Sequence, residues 1–155
     1  MFTISFKIRD LPSDDAVRAM VVRRCTAFAL KWEALAKKKL SGEVLNVRTG
    51  ALRSSVSHEV AEDGDSVTVK VFSSGVSYAA IHEYGGVTKP HDIVPTKAKA
   101  LHFIMGGKDV FAKIVHHPGS RMPERSYIRS SLADLLDEGS LDRGLAGDLK
   151  RLFDQ

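Results

Sequence analysis

Tyr78-Ala79-Ala80-Ile81-His82-Glu83-Tyr84-Gly85-Gly86 is the stretch around which the rest of the chain is arranged. It lies mid-chain between two segments with β patterning, and it ends in two glycines. Glycine takes a left-handed conformation without steric cost, so the pattern predicts a short helical turn that ends at Gly85. Because His82 and Glu83 are adjacent, a metal or catalytic site is the alternative interpretation.

Length and composition are those of an ordinary globular protein. The chain has 155 residues, of which 43% are hydrophobic and 27% charged, which predicts one domain, residues 1–155, with a normal core. Neither a membrane span of about 20 apolar residues nor the apolar block of a signal peptide is present in the sequence, so we expect synthesis in the cytoplasm and no membrane partner. The single cysteine, Cys25, rules out an intramolecular disulfide and fits a reducing compartment.

The net charge of +4 is compatible with an anionic partner. Two interpretations follow from it: a solvated basic surface, which is favoured, and a nucleic-acid-binding face.

The first 50 residues predict a strand and then a long helix. Residues 2–9 alternate in polarity, as a half-buried strand does. Ser13 is a good helix N-cap, and the helical pattern runs from there to about Leu40, where Ser41-Gly42 ends it. At about 1.5 Å per residue such a helix is roughly 40 Å long, so it either spans the domain or packs on a neighbouring subunit. Its apolar stripe consists of Val17, Val21, Cys25, Phe28, Trp32 and Leu35.

Two basic segments flank the end of this helix. Lys37, Lys38 and Lys39 fall in its last turn, where cations favour the negative end of the helix dipole; a solvated helix end is favoured, and a phosphate or acidic-partner contact is the alternative. Further on, Thr49 can cap a short helical turn with Leu52 pointing inward. Arg48 and Arg53 flank that turn, and Gly50 lies within it.

Two hairpins are predicted. Residues 55–62 and 66–73 alternate in polarity around an Asp-Gly turn, which is a strong hairpin signal. Residues 100–105 and 110–115 form a second candidate pair around Gly106-Gly107, and the two hairpins are expected to join one sheet. Ile93-Val94-Pro95 is a candidate edge strand, and residues 116–123 are a predicted loop.

Two further helices are predicted at the end of the chain. One runs from Glu124 to Asp137 and ends at Gly139. The other starts at Ser140 and is weakened by two internal glycines. Together the elements predict an α+β fold, in which a small antiparallel β-sheet packs against a long N-terminal helix and a C-terminal helix.

The sequence offers little for catalysis. His-Glu-x-x-His is absent because Gly86 occupies the position of the second histidine, and the spacings of the six histidines match no strong metal signature. No nucleophile elbow or phosphate-binding glycine loop is present in the sequence. We therefore expect no enzyme and no cofactor; a metal-dependent hydrolase using His82, Glu83 and the later histidines is the enzymatic alternative.

Three motifs in order carry a resemblance to a known family. They are Val47-Arg48-Thr49-Gly50-Ala51-Leu52-Arg53-Ser54-Ser55-Val56, then Tyr78-Ala79-x-x-His82-Glu83-Tyr84-Gly85, then His117-Pro118-Gly119 with Pro123-x-x-Ser126-Tyr127-Ile128. The set resembles the tail-component and tail-completion proteins of tailed bacteriophages, over roughly residues 10–137. In that family a TG-x-L-R-x-S turn follows a long helix, a Y-A-x-x-x-E-x-G turn follows a hairpin, and an R-P-aromatic turn opens the C-terminal helix. Residues 93–103 also look like an insertion found in a common member.

The resemblance implies a tail-terminator-like fold and a non-enzymatic virion protein. Such proteins form rings, commonly hexamers, at the head–tail junction or neck, where they complete or terminate the tail tube and join it to the head. The implied partners are further copies of the chain, the tail tube protein and a head-connector or stopper protein. Sequence-independent contact with DNA in the lumen would be salt-sensitive. The alternative function is a basic nucleic-acid-binding module.

Within the central motif we expect Tyr78 and Tyr84 to anchor the turn. We also expect His82 or Glu83 to bond to backbone or to a neighbouring arginine, and Gly85 to permit the chain reversal. The candidate subunit-interface residues are Arg48, Thr49, Gly50, Leu52, Arg53, Tyr78, His82, Glu83, Tyr84 and Gly85, and the candidate lumen or partner contacts are Lys37, Lys38 and Lys39.

Overall fold

A three-stranded antiparallel sheet lies at the centre of the molecule. The computed structural model describes residues 1–11 and 13–153, and the sheet consists of β1 (Phe2–Ile8), β2 (Val56–Asp63) and β3 (Ser66–Ser73) in the order β1-β3-β2. The predicted strand at 2–9 and the predicted hairpin are confirmed. The hairpin turn consists of Gly64 and Asp65, since Asp63 pairs with Ser66.

Helix α1 (Asp15–Lys38) covers one face of this sheet. Its cap is Asp14, whose carboxylate accepts a hydrogen bond from Val17 N at 2.9 Å. The predicted cap, Ser13, is therefore one residue early, because the aspartate is the side chain that reaches the free amide. The helix continues into a wide turn (Lys39–Glu43), where Gly42 has a φ of 119° and ends it as predicted.

The core lies between α1 and the sheet. Cys25, Phe28 and Trp32 from the predicted stripe are buried, whereas Val17, Val21 and Leu35 are half-buried. The Phe6 ring packs edge-on against Phe28 and stacks on Trp32. The cluster is completed by Val56 and by Ile128, which begins a later helix. The inward-facing residues of β3 also belong to it; they are Val67, Val69 and Val71.

Four more helices surround this core. They are α2 (Ala51–Ser54), α3 (Ala79–Tyr84), α4 (Ile128–Asp137) and α5 (Ser140–Phe153). Helices α4 and α5 pack on α1. The Arg24 guanidinium forms a bidentate ion pair with the Asp148 carboxylate of α5, with both N–O distances at 2.5 Å. The predicted α+β class, with a small antiparallel sheet against the long N-terminal helix and a C-terminal helix, is confirmed. None of the helices in the described ranges has both the length and the apolar content that a bilayer crossing requires.

A long β-hairpin follows α3, and each of its two sides is divided into three short strands. Its strands are β4 (Gly86–Val87), β5 (His91–Ile93), β6 (Leu101–Met105), β7 (Lys108–Ala112), β8 (Val115–His117) and β9 (Arg121–Met122). They pair as β4–β9, β5–β8 and β6–β7, which nests three short ladders around the turn at Gly106-Gly107. We call residues 86–122 the arm and the other described residues the body.

Three predictions about the arm are wrong. The two hairpins do not form one sheet, because every strand of the arm has its partner within the arm. The edge strand predicted at Ile93–Pro95 lies earlier, at His91–Ile93, and residues 116–123, predicted as a loop, contribute to β8 and β9.

The arm has no core of its own. None of residues 86–122, all of which the structure describes, is fully buried, and Ile104 and Phe111 are 72% and 69% exposed. The arm holds six of the lysines and arginines but only two aspartates. The whole net charge of +4 therefore lies on the arm, and the rest of the sequence is neutral.

Candidate functional site

The central stretch folds as the sequence predicts, into the short helix α3 followed by a glycine turn. Gly85 has a φ of 70°, in the left-handed region. A Cβ at this position would lie 2.8 Å from Glu124 N and 3.0 Å from Met122 O. Gly85 is therefore required both by its backbone angle and by the close approach of the returning chain, which confirms its predicted role in the chain reversal.

Glu83 holds the start of α4. Its side chain is 0% exposed, and its carboxylate accepts hydrogen bonds from the backbone N–H groups of Tyr127, Ile128 and Arg129 at 2.8–2.9 Å. The Ser126 hydroxyl donates a fourth bond at 2.7 Å. The first N–H groups of a helix lack partners within the helix, and a negative charge is favourable there. Glu83 thus bonds to backbone as predicted, and it supplies the cap that the sequence of α4 lacks.

This cap explains an error in the predicted helix. We expected α4 to begin at Glu124, but it begins at Ile128. Glu124 is held against Gly85 instead, and the free N–H groups of the helix meet the Glu83 carboxylate. A side chain from another element, rather than a local sequence signal, sets the first residue of α4.

Tyr127 is the buried tyrosine of this region. Its hydroxyl donates to Ala79 O at 3.4 Å, and burial, together with the nearby charge of Glu83, raises its pKa far above the ordinary range. The indole N–H of Trp32 donates to Ile128 O at 2.9 Å. Helices α1, α3 and α4 are therefore joined by buried hydrogen bonds.

The two tyrosines predicted as anchors lie at the surface. Tyr78 is 43% exposed and Tyr84 is 49% exposed. Tyr78 contacts the His82 ring edge-on, and Tyr84 packs between Phe2 and the Arg129 guanidinium. The contacts of Tyr84 with β1 and α4 fit the predicted anchoring role, whereas Tyr78 contacts a residue of the same turn and the buried contacts belong to Glu83 and Tyr127.

A recess of about 800 Å³ opens beside α3. Its walls come mainly from the first two motifs and from the returning chain beside Pro123; the residues used below are Leu45, Val47, Arg48, Arg53, Tyr78, His82, Met122 and Arg125. Thr49, Gly50 and Leu52, which belong to the first motif, also line it. We call this surface the arginine recess. The structure therefore brings together seven of the ten predicted interface residues, while Glu83, Tyr84 and Gly85 lie outside it.

The first motif forms a turn close to the predicted one. Gly50, with a φ of 78°, holds the N-cap position of α2 that we predicted for Thr49. The Thr49 hydroxyl accepts only a long bond from Ala51 N at 3.4 Å. Leu52 packs against the core, as predicted. The left-handed Gly50 turns the chain so that Arg48 and Arg53 both reach the recess.

The recess is positive and contains unpaired polar groups. Arg48, Arg53 and Arg125 have no side-chain partner among the described residues. His82 Nδ1 is buried without a hydrogen-bond partner within the described ranges. Burial, and then the charge of Arg125, lowers the pKa of His82, so this ring tends to stay neutral. Three guanidinium groups at one concave surface suit carboxylate or phosphate groups, which they bind with paired hydrogen bonds.

The lysines of the α1 end are engaged within the chain. Lys37 pairs with Glu33, Lys38 with Glu43 at 3.0 Å and Lys39 with Asp134 at 2.6 Å. Lys38 and Glu43 are exposed, so that this pair stays open to solvent. These lysines do not line the arginine recess.

The histidines do not form a metal site within the part of the chain that the structure describes. No group of three His, Cys, Asp or Glu side chains there is placed to hold an ion. On the arm, the His91 and His117 rings stack on each other, and His116 and His102 bond to aspartates. His58 bonds to Glu33 on the body.

Comparison of the chain with protein-family models, with curated proteins and with solved structures finds no match in any of the three. The functional argument therefore rests on the residues and their geometry.

Proposed function

We propose that this protein is a structural component of a tailed bacteriophage virion that forms a ring at the head–tail junction. In this role it completes the tail tube and joins it to the head connector. The observation that supports the proposal best is the convergence of the three motifs. Glu83 of the second motif caps the helix opened by the third, and residues of the first two motifs line the arginine recess together with Arg125, which lies between Pro123 and Ser126 of the third.

The chemistry of the recess favours binding over catalysis. Its charged groups are guanidiniums, which stay protonated and serve as hydrogen-bond donors. Aliphatic and aromatic walls surround them, from Leu45, Val47 and Tyr78. A surface of this kind is typical of protein interfaces, where arginine and tyrosine are enriched.

The arm supports the proposal independently. A two-stranded hairpin is at best marginally stable alone in water, and this one exposes Ile104, Met105 and Phe111. Exposed apolar groups of this size mark contact surfaces. The proposed partners are other copies of this chain, in a ring for which the resemblance implies hexameric symmetry, the tail tube protein and a head-connector or stopper protein. The lysines of the arm suit non-specific contact with DNA in the lumen.

Light scattering across a concentration series, with and without tail tube protein, tests this proposal. We expect a discrete ring, formed either freely or on the tube. An Arg53→Glu variant should weaken ring formation, and Arg143→Glu, an exposed arginine outside the recess, is the matched control. A monomer that ignores the tube at every concentration would contradict the proposal. Salt-sensitive DNA binding by that monomer would then favour the nucleic-acid-binding alternative.

A further inference from the structure

We propose that the arginine recess of one copy binds the acidic end of a second copy of this chain. The inference rests on the proposed function, because it assigns the two surfaces that meet in the ring. The acidic end consists of the β2–β3 turn and the chain around the start of α1; its carboxylates are those of Asp10, Asp14, Asp15, Glu62, Asp63 and Asp65.

Backbone and side-chain bonds gather this acidic end into one surface. Leu11 N donates to Asp65 O at 2.8 Å, which ties the chain before α1 to the hairpin turn. The Arg18 guanidinium bonds to Glu62 and to Gly64 O, which ties α1 to the same turn. Segments far apart in sequence therefore present their carboxylates together.

Four of these carboxylates lack a side-chain partner. Asp14 is used as the cap of α1 and Glu62 is paired with Arg18. The remaining four have no ion pair or side-chain hydrogen bond among the described residues, and they are exposed; they are Asp10, Asp15, Asp63 and Asp65. The unpaired carboxylates of the acidic end thus match the unpaired guanidiniums of the recess in chemistry.

The two surfaces lie at opposite ends of the sheet. The turn follows the Asp63–Ser66 pair, whereas α2, which lines the recess, comes just before the Val56–Ser73 pair at the other end. At about 3.3 Å per residue, an eight-residue strand separates the two ends by roughly 25 Å. One copy therefore cannot close this contact on itself, and a second copy is required.

Shape favours the hairpin turn as the group that enters the recess. Residues 62–65, which we call the tip, are all exposed. The turn between the two strands contains only Gly64 and Asp65, so the tip is narrow. The recess, at about 800 Å³, is large enough for a tip of this kind. Inside it, the apolar walls exclude water, which strengthens guanidinium–carboxylate bonds.

The contact is head-to-tail, since each copy uses one surface at each end. Contacts of this kind generate closed rings when the rotation between copies closes. A ring of this chain would then bury the acidic end and the recess of every copy and leave the arms free for the neighbouring components.

Charge reversal with complementation tests the contact. Recess variant R48E/R53E and tip variant D63K/D65K are each expected to associate on the order of a hundredfold more weakly than the wild type, because each puts like charges together. Their equimolar mixture should recover assembly, since each reversed surface then meets a complementary one. Sedimentation velocity, with tail tube protein present if the wild type requires it, measures this. The matched control is D137K/E138K, which reverses two exposed charges at the end of α4.

Disulfide trapping tests the same contact without relying on stable assembly. Asp65→Cys in one copy and Arg48→Cys in another should form a mixed disulfide dimer under mild oxidation. The native Cys25 is fully buried and does not compete. Asp137→Cys paired with Arg48→Cys is the control for random collision. A tip–recess yield no higher than this control would overturn the inference, even if the charge variants misfolded.

The outcomes separate this inference from the proposed function. If the wild type forms rings and both charge variants form rings of the same mass, the tip–recess contact is wrong. The ring-forming function is then unaffected. If the wild-type chain ignores the tube, but the Asp65→Cys and Arg48→Cys variants form the mixed disulfide above the control yield, the proposed function is overturned and the contact stands. If only the recess variant loses DNA binding, and neither variant changes self-association, the recess binds phosphates instead and the inference is wrong.

Discussion

The body and the arm contain the same kinds of apolar residue in different surroundings. In the body, Phe28 and Trp32 are almost completely buried beneath the sheet. In the arm, Phe111 and Ile104 are more than two-thirds exposed, and the strands pack mainly on one another. The body therefore derives its stability from burial within one chain, whereas the apolar surface of the arm remains available to another molecule.

Charge divides the two regions in the same way. The sequence outside the arm has as many acidic as basic side chains, and the arm carries the net charge of +4. Within the body, charges are separated between the acidic end and the arginine recess. The net charge of the sequence hides this separation, because opposite charges from different surfaces cancel in the sum.

The largest expected difference comes from matched truncations in the two regions. Phe28→Ala should lower the free energy of unfolding by about 3–5 kcal/mol, because it leaves a cavity in the core. Phe111→Ala should change it by less than about 0.5 kcal/mol, because its ring already faces solvent. Urea denaturation followed by circular dichroism measures both. Equal losses in the two variants would show that the arm folds onto a core after all.

A smaller loss is expected when the link between α3 and α4 is removed. Glu83→Ala leaves the N–H groups of Tyr127, Ile128 and Arg129 without their acceptor, the first two of them buried, and should cost about 2–4 kcal/mol. Glu83→Gln keeps the shape and one acceptor oxygen, so its loss should be clearly smaller. The same urea titration compares the two. Ser126→Ala, which removes a single donor to this carboxylate, is the control with the least expected change.

Removing the arm should leave the body nearly as stable as before. Val87 pairs with Arg121, so an Asn-Gly turn can replace residues 88–120 and close the hairpin in register. We expect the free energy of unfolding to change by less than about 1 kcal/mol, since the arm supplies no fully buried side chain. Under the proposed function, binding to the tail tube protein should also be lost. An unfolded product would contradict the division into body and arm.

The smallest effect concerns pH. The pKa of His82 is lowered in the folded state, first by burial and then by the charge of Arg125. The unfolded chain then binds the proton more readily, so stability should fall as pH drops through about 6.5. His82→Gln should reduce the loss between pH 7.5 and 5.5. Glu33, whose pKa is lowered because bonds from His58 and Lys37 outweigh its burial, loses its contribution only at lower pH and does not interfere.

Local patterns predicted the parts of the fold that local chemistry determines. The alternation in residues 2–9, the Asp-Gly hairpin and the stop at Gly42 each depend on a few neighbouring residues, and all three appear in the structure. The first residue of α4 could not be found in this way. Its cap, Glu83, is 45 residues away from Ile128, and no local spacing reports such a contact.

The outer end of the arm was predicted as the second hairpin and is confirmed as the β6–β7 pair, but the rest of the arm was missed for a related reason. Strands β4, β5, β8 and β9 are only two or three residues long, which is too short to show a period of two. The site was predicted in part. The motifs gave Arg48, Arg53 and His82, but Arg125 and Met122 join the recess only because Gly85 brings the returning chain close.

The Glu83 carboxylate also bears on the order in which the chain folds. Helix α4 receives its cap from a residue made more than 40 positions earlier, and the whole arm lies between them. The contact therefore closes a long loop, and such contacts form late because their entropic cost must be met first. On the ribosome, all residues of α1 and of the three-stranded sheet are synthesised before Ile128. We expect α4 to dock last, after the other elements of the body have folded. Glu83→Ala should slow this docking step more than it slows folding of the sheet.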